Sequence, residues 1–67
     1  MAWEKGDLLT QNNNLYLITE QRTAKNHIGD TWVELDYDWL TLHNLSNDEV
    51  IVNNQKTLEY RGFYVIA

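Results

Sequence analysis

The stretch TWVELDYDWLTLH, residues 31–43, decides the fold that we expect for this chain. In it, Val33 and Leu35 alternate with Glu34 and Asp36. A period of two residues is typical of a β-strand that buries one face and leaves the other in water. The stretch therefore predicts a half-buried strand whose carboxylates face solvent.

The alternation changes phase at residues 37–39, because the next aliphatic residues are Leu40 and Leu42. A one-residue change of phase requires a turn or a β-bulge. A turn at Tyr37 and Asp38 would fold the stretch into a hairpin, whereas a bulge would leave one long, bent strand. Both arrangements point the aliphatic side chains inward and the carboxylates outward, so the sequence leaves the choice open.

The segments that precede this stretch predict a β-hairpin and a loop. Residues 8–11 and 15–21 are rich in strand formers, and the consecutive Asn residues between them favour a turn. Residues 22–30 are polar and end in the turn signal Gly29-Asp30, which predicts an exposed loop.

The segments that follow it predict further strands. Ser46 and Glu49 have the spacing of a helix capping box, whereas the β-branched run at residues 50–52 favours a strand, and both alternatives stay open. Residues 57–66 are aromatic and aliphatic, and Gly62 within them predicts a bulge or a sharp bend in a closing strand.

The spacing of these elements predicts an all-β protein. We expect five to six short antiparallel strands, with at most one short helical turn, arranged as a small barrel whose closure removes exposed strand edges. The chain of 67 residues is expected to form one domain, residues 1–67. It contains no Cys, so neither a disulfide nor a thiolate metal site stabilises it.

Charge gives the clearest indication of a partner. Ten acidic residues against five Lys and Arg give a net charge of -5, and between Lys25 and Lys56 there is no Lys or Arg at all. Such a surface repels the phosphates of nucleic acids, so direct nucleic-acid binding is not expected. It attracts a basic partner protein and accelerates the encounter with it.

The targeting signals that the chain lacks indicate a location. No basic segment followed by an apolar one marks a secretion signal, and no apolar run approaches the roughly 20 residues that cross a bilayer. We therefore expect a soluble, cytoplasmic protein without a membrane partner.

Two short segments carry a resemblance to a known fold family. KGDLLT at residues 5–10, followed by a polar turn and LYLI at residues 15–18, resembles the first hairpin of small SH3-like barrel proteins. NDEV at residues 47–50 is similar to their last turn. The chain also resembles, in length and composition, accessory proteins of bacteriophages and mobile elements. The resemblance implies an SH3-like barrel that works as an adaptor or inhibitor. Because the aromatic pair and proline signature of eukaryotic SH3 domains are missing, it does not imply polyproline recognition.

The candidate partner-binding surface consists of residues in the opening stretch. They are Trp32, Glu34, Asp36, Tyr37 and Asp38. Carboxylates on one strand face lie roughly 6.6 Å apart, so they are solvated neighbours and do not share a proton. A Trp beside carboxylates matches the composition of binding hot spots. The alternative is that the acids only keep the outer face soluble, and that Trp32 covers the barrel end or packs on Trp3.

The sequence predicts a binding protein and not an enzyme. Ser46, the single Ser, lacks a nucleophile-elbow pattern, and the isolated Gly residues form no phosphate loop. Asp36 and Asp38 lack the further ligands of a Ca²⁺ loop, and the two His residues lack metal-ligand spacing, so we expect no metal and no cofactor. The expected function is an inhibitor or nucleic-acid mimic that engages a basic partner. The alternative is a structural component that self-associates as a homo-oligomer.

Overall fold

The structure is a computed structural model that describes residues 2–67. Its elements, in chain order, are β1 Leu8–Gln11, β2 Asn14–Ile28, β3 Thr31–Asn44, β4 Val50–Asn53, α1 Gln55–Tyr60 and β5 Tyr64–Val65. The strands form one antiparallel sheet in the order β4-β3-β2-β1-β5. The prediction of a mostly β, antiparallel fold is confirmed.

The sheet is open and is not closed into a barrel. β4 and β5 form its two edges, and within residues 2–67 they do not pair with each other. The strands are also unequal, because β2 and β3 contain 15 and 14 residues while β1 and β4 contain 4 each. The number of strands is as predicted, but the prediction that all of them are short is wrong.

The first hairpin forms where the Asn residues predict it. β1 pairs with the start of β2 from Leu8↔Leu17 to Gln11↔Asn14, which leaves a two-residue turn at Asn12 and Asn13. Both turn residues have positive φ, 52° and 66°. Asn tolerates this conformation, and two such residues match the twist of the flanking strands.

The core lies on one face of the sheet and is covered by α1 and the N-terminal segment. Its buried side chains are Trp3, Leu9, Tyr16, Ile18, Leu40, Leu42, Leu58 and Phe63. Tyr16 and Phe63 meet edge to face with their ring centroids 5.0 Å apart. The core therefore draws on β1, β2, β3, α1 and both terminal segments.

α1 begins at a side-chain cap that the sequence interpretation missed. The side chain of Asn54 accepts a hydrogen bond from the Thr57 N–H at 2.9 Å, which satisfies a free donor of the first turn. The Trp3 N–H donates to Gln55 Oε1 at 2.7 Å and so ties the N-terminal segment to the start of the helix.

The end of α1 explains Gly62, which was predicted to interrupt a strand. The Gly62 N–H donates to the Glu59 carbonyl at 3.0 Å, and the Phe63 N–H donates to the Leu58 carbonyl at 3.0 Å. This pair of bonds is the Schellman helix end, in which the residue after the cap has positive φ, as Gly62 does at 92°. The predicted strand over residues 57–66 is wrong except at Tyr64–Val65. The backbone groups of residues 57–63 form hydrogen bonds within α1 and at its C-terminal end, and not with a neighbouring strand.

Of the two alternatives for residues 46–54, the strand is correct. The Ser46 N–H donates to Asn44 Oδ1 at 2.8 Å in a turn, so no capping box begins a helix there. Val50–Asn53 then pairs with β3, from His43↔Val50 to Leu40↔Asn53. The β-branched run forms the strand that its residue type favours.

β2 and β3 form one long hairpin whose turn contains Gly29 and Asp30. Ile28 pairs with Thr31 across that turn, and Gly29 has φ 61°. The prediction of a loop at residues 22–30 is therefore wrong, since residues 22–28 belong to β2. Backbone hydrogen bonds to β3 order this segment in spite of its polar composition.

β3 contains a bulge next to the residues where the sequence predicts a change of phase. Thr23 pairs with Asp38 and Lys25 pairs with Glu34, so residues 35–37 of β3 lie opposite Ala24 alone. β3 continues as one strand through this irregularity. Of the two alternatives that the sequence leaves open, the structure has the bulge and not the turn at Tyr37 and Asp38.

Candidate functional site

Beyond the Gln21↔Leu40 pair, β2 and β3 continue as a two-stranded ribbon. We call residues 22–39 the arm. β1 pairs with β2 only up to Leu17, and β4 pairs with β3 only from Leu40 to His43, so neither covers the arm. The arm extends the molecule along its longest axis, 44 Å against 24 and 19 Å for the other two. Within residues 2–67 no further strand pairs with either edge of the arm, and most of its side chains are exposed.

Trp32 lies at the tip of the arm and is 65% exposed. It is the cross-strand partner of His27, and the two rings stack with centroids 4.7 Å apart at an angle of 33°. Trp32 does not belong to the core cluster that contains Trp3. The structure therefore presents this indole to solvent, held by one neighbouring ring.

Glu34 shares a face of the tip with Trp32, two residues along the same regular segment of β3. Its cross-strand partner is Lys25. A basic residue that the sequence places far from Glu34 thus lies directly opposite it, and it offsets part of the negative charge at the tip.

Asp36, Tyr37 and Asp38 lie at the base of the arm, where they line an open depression of about 810 Å³. Its opposite wall is the start of α1, including Gln55 and Lys56. Tyr37 also packs edge to face on Trp39, with ring centroids 5.3 Å apart. The five predicted residues therefore form two groups: Trp32 and Glu34 at the tip, and the other three at the base.

Asp38 corrects the prediction that all three acids lie on the outer face. It shares the alternation of Leu40 and Leu42, which are buried, so it lies on the core side of the sheet. Gln21 Nε2 donates to Asp38 Oδ2 at 2.7 Å. The core ends at Leu40, and a carboxylate one pleat further along remains half-exposed to water.

The prediction that Val33 and Leu35 point into the core is wrong. Val33 is 40% exposed, and Leu35 is half-buried and lies outside the core cluster. The reason is that, within residues 2–67, neither side chain is packed into the core cluster that α1 covers. Of the four aliphatic residues predicted to point inward, only Leu40 and Leu42 are core residues.

Sequence reasoning missed the basic residues that the fold brings to the acids. Lys25 reaches Glu34 through strand pairing, and Lys56 reaches the depression through the helix that follows β4. The turn signal Gly29-Asp30 was the available indication of the first contact, because a two-residue turn would pair residues 22–28 with residues 31–38. No local pattern indicates the second contact.

Residues 2–67 contain neither a metal-binding cluster of side chains nor a membrane-spanning helix. No group of three or more His, Cys, Asp or Glu side chains in that part of the chain is placed to hold a metal ion. No helix there has the length and apolar character needed to cross a membrane.

The class defined by the fold and by the geometry of the arm is an open antiparallel sheet with a protruding two-stranded hairpin. Comparison with models of protein families, with curated proteins and with solved structures finds no match for this chain.

Proposed function

We propose that this chain is a non-enzymatic protein-binding module whose arm engages a basic partner, as an inhibitor or a nucleic-acid mimic. The observation that carries the proposal is the position of Trp32, 65% exposed at the end of a protruding hairpin and next to Glu34. An exposed indole gains free energy when a partner buries it, and Trp is enriched among the residues that dominate binding.

Charge supplies the second support. Glu34, Asp36 and Asp38 lie on the same strand as Trp32, and β3 contains no Lys or Arg. Lys25 and Lys56 offset part of this charge but leave an excess of acid along β3. A basic surface would meet that excess first, which accelerates the encounter, and the indole would then slow the separation.

We also propose that the body is SH3-like, with a barrel that stays open. The support is the return of the chain through α1, which places β5 beside β1 after a meander of four strands. That return is the connection that a small five-stranded barrel requires. α1 connects the two edge strands along the chain, and its Leu58 is completely buried. An adaptor role like that of phage or mobile-element accessory proteins follows from the same resemblance.

The experiment is affinity capture from the source organism, followed by rate measurements with the purified partner. The arm variant is Glu34→Gln, Asp36→Asn, Asp38→Asn. Its matched control removes the same charge from exposed acids outside the arm: Glu4→Gln, Glu20→Gln, Glu49→Gln. We expect the arm variant to slow association about tenfold or more at low salt, with a much smaller effect in the control.

Trp32→Ala tests the anchor separately, with Tyr60→Ala as its control because Tyr60 is 92% exposed and lies on α1. We expect Trp32→Ala to raise the dissociation rate by at least about thirtyfold, the effect of a hot spot of 2 kcal/mol, and Tyr60→Ala to leave it unchanged. Equal rates for Trp32→Ala and the parent chain, or equal association rates for the two charge variants, would contradict the proposal.

A further inference from the structure

The outer edge of β3 is free along the arm. β4 pairs with β3 up to Leu40↔Asn53, and the chain then turns away into α1. Within residues 2–67 no strand continues the line of β4 beside residues 31–39. The backbone N–H and C=O groups on that side of β3 therefore have no strand partner, and such an edge is a template for pairing with another chain.

The depression at the base of the arm gives an added strand room. It lies where β4 stops, between residues 36–38 of β3 and the start of α1, and it has a volume of about 810 Å³. An extended segment that continued the line of β4 along β3 would run past this depression. Gln55 and Lys56 would then flank the segment on the side away from β3.

The tip of the arm also exposes large apolar side chains, unlike an unpaired strand edge whose exposed side chains are polar or charged. Ile28 is 64% exposed and Val33 is 40% exposed, in addition to Trp32. Charge alone would protect an unpaired edge, and large apolar side chains at the same end weaken that protection. This combination favours an edge that is covered in the functional state.

Charge decides which occupant fits. A two-fold pairing of β3 with β3 of a second copy would set Glu34, Asp36 and Asp38 against the same three carboxylates. The equivalent pairing of β2 with β2 would bring Arg22 of one copy close to Lys25 of the other. Like charges on paired strands are destabilising, so the arm disfavours closed dimers and its β3 edge selects a basic segment.

We propose that the free edge of β3 at residues 31–39 binds an extended segment carrying Lys or Arg at alternate positions, which adds to the sheet next to β3 in line with β4. This inference rests on the proposed function, since it specifies how the basic partner is held. Main-chain hydrogen bonds would give affinity, and basic side chains of the segment would meet Glu34 in the regular part of the tip and Asp36 and Asp38 at the bulge.

The test uses nine-residue peptides, acetylated and amidated, that alternate Lys with Val and Thr. Two isomers carry backbone N-methyl groups, one on the Lys amides and the other on the Val and Thr amides. Successive residues of a strand direct their N–H groups to opposite edges, so each isomer blocks one edge and keeps the charge. A fourth peptide has Glu in place of Lys. Binding is followed by amide chemical shifts and hydrogen exchange in the full chain.

We expect the unmodified Lys peptide to shift and protect amides of residues 31–39 at low salt. One N-methyl isomer should bind at least about tenfold more weakly than the other, a ratio that corresponds to one or two lost hydrogen bonds. Asp36→Asn with Asp38→Asn should weaken the unmodified peptide, whereas Glu20→Gln with Glu49→Gln should not.

Each other result overturns the inference. Equal binding of the two isomers means that charge alone holds the peptide, so strand addition fails while the proposed function stands. If the Lys and Glu peptides bind equally well, or if neither binds, the result contradicts both the strand-addition inference and the proposed function. If the peptide protects the amides of residues 22–28 instead, it binds the edge of β2 and not the edge of β3. Concentration-dependent protection of residues 31–39 without peptide makes a second copy the occupant.

Discussion

At the scale of single residues, the end of the core at Leu40 separates two leucines of the same strand. Leu40 is 1% exposed and belongs to the core cluster, whereas Leu35 is half-buried on the arm. Leu40→Ala should therefore lower the free energy of unfolding by about 2–5 kcal/mol, because it opens a cavity in a packed core. Leu35→Ala should cost clearly less, about 1 kcal/mol, since fewer neighbours surround it. Urea unfolding of both variants, with Val33→Ala as an exposed control, checks this.

A loss at Leu35 equal to that at Leu40 would mean that the arm packs against the body. With a change of phase at residues 37–39, period-two alternation points both leucines inward, and the sequence therefore predicts both as core. The two leucines differ because the elements that pack on the sheet reach Leu40 and do not reach Leu35. How far they reach depends on where β4 stops and α1 begins, and no residue of β3 indicates it.

At the scale of elements, α1 depends on one glycine for its end. Gly62 has φ 92°, a conformation that costs a residue with a Cβ atom, although no other atom would obstruct one there. Gly62→Ala should therefore lower the free energy of unfolding by about 1–2 kcal/mol. Gly62→Asn should recover part of that loss, because Asn adopts positive φ more readily. Urea unfolding of the pair is the measurement, and an Ala variant more stable than the Asn variant would contradict it.

The arm is the element that is hardest to predict from the sequence. Residues 31–36 show the alternation of a strand, and this half of the arm was predicted. Within residues 22–28 only Ala24 is buried, so the segment has no apolar periodicity and resembles a loop in composition. Its strand conformation comes from pairing with β3 across Gly29 and Asp30. The candidate residues on β3 could thus be found from the sequence, while their basic neighbours on β2 and α1 could not.

Removal of the arm should separate folding from binding. Thr23 and Asp38 are cross-strand partners, so replacing residues 24–37 with Asn-Gly joins them through a favoured two-residue turn. The only buried residue lost is Ala24, and one small side chain contributes about 1 kcal/mol. The shortened chain should keep cooperative unfolding with a loss of no more than about 1–2 kcal/mol, and it should no longer retain the partner. Retention of the partner at full affinity would move the binding surface to the body.

At the scale of the whole molecule, charge should matter for binding and hardly at all for folding. The arm variant Glu34→Gln, Asp36→Asn, Asp38→Asn loses the attraction between Glu34 and Lys25, and it also loses the repulsion among neighbouring carboxylates of β3. Each contribution is about 0.2–1 kcal/mol, and the two have opposite signs. The amide at position 38 can still accept the hydrogen bond from Gln21, which the carboxylate accepts at 2.7 Å.

We therefore expect the midpoint of thermal unfolding of the arm variant to stay within a few degrees of the parent chain, or to rise, because the excess of negative charge falls. Salt supplies the internal check. The Debye length shrinks from about 10 Å at 0.1 M to about 3 Å at 1 M, so any difference in midpoint caused by charge must narrow as salt is added. Association with the partner must slow over the same range in the parent chain and change little in the variant. A variant that melts much lower at every salt concentration would show that the three acids hold the fold together, and the binding surface would then have to lie elsewhere on the molecule.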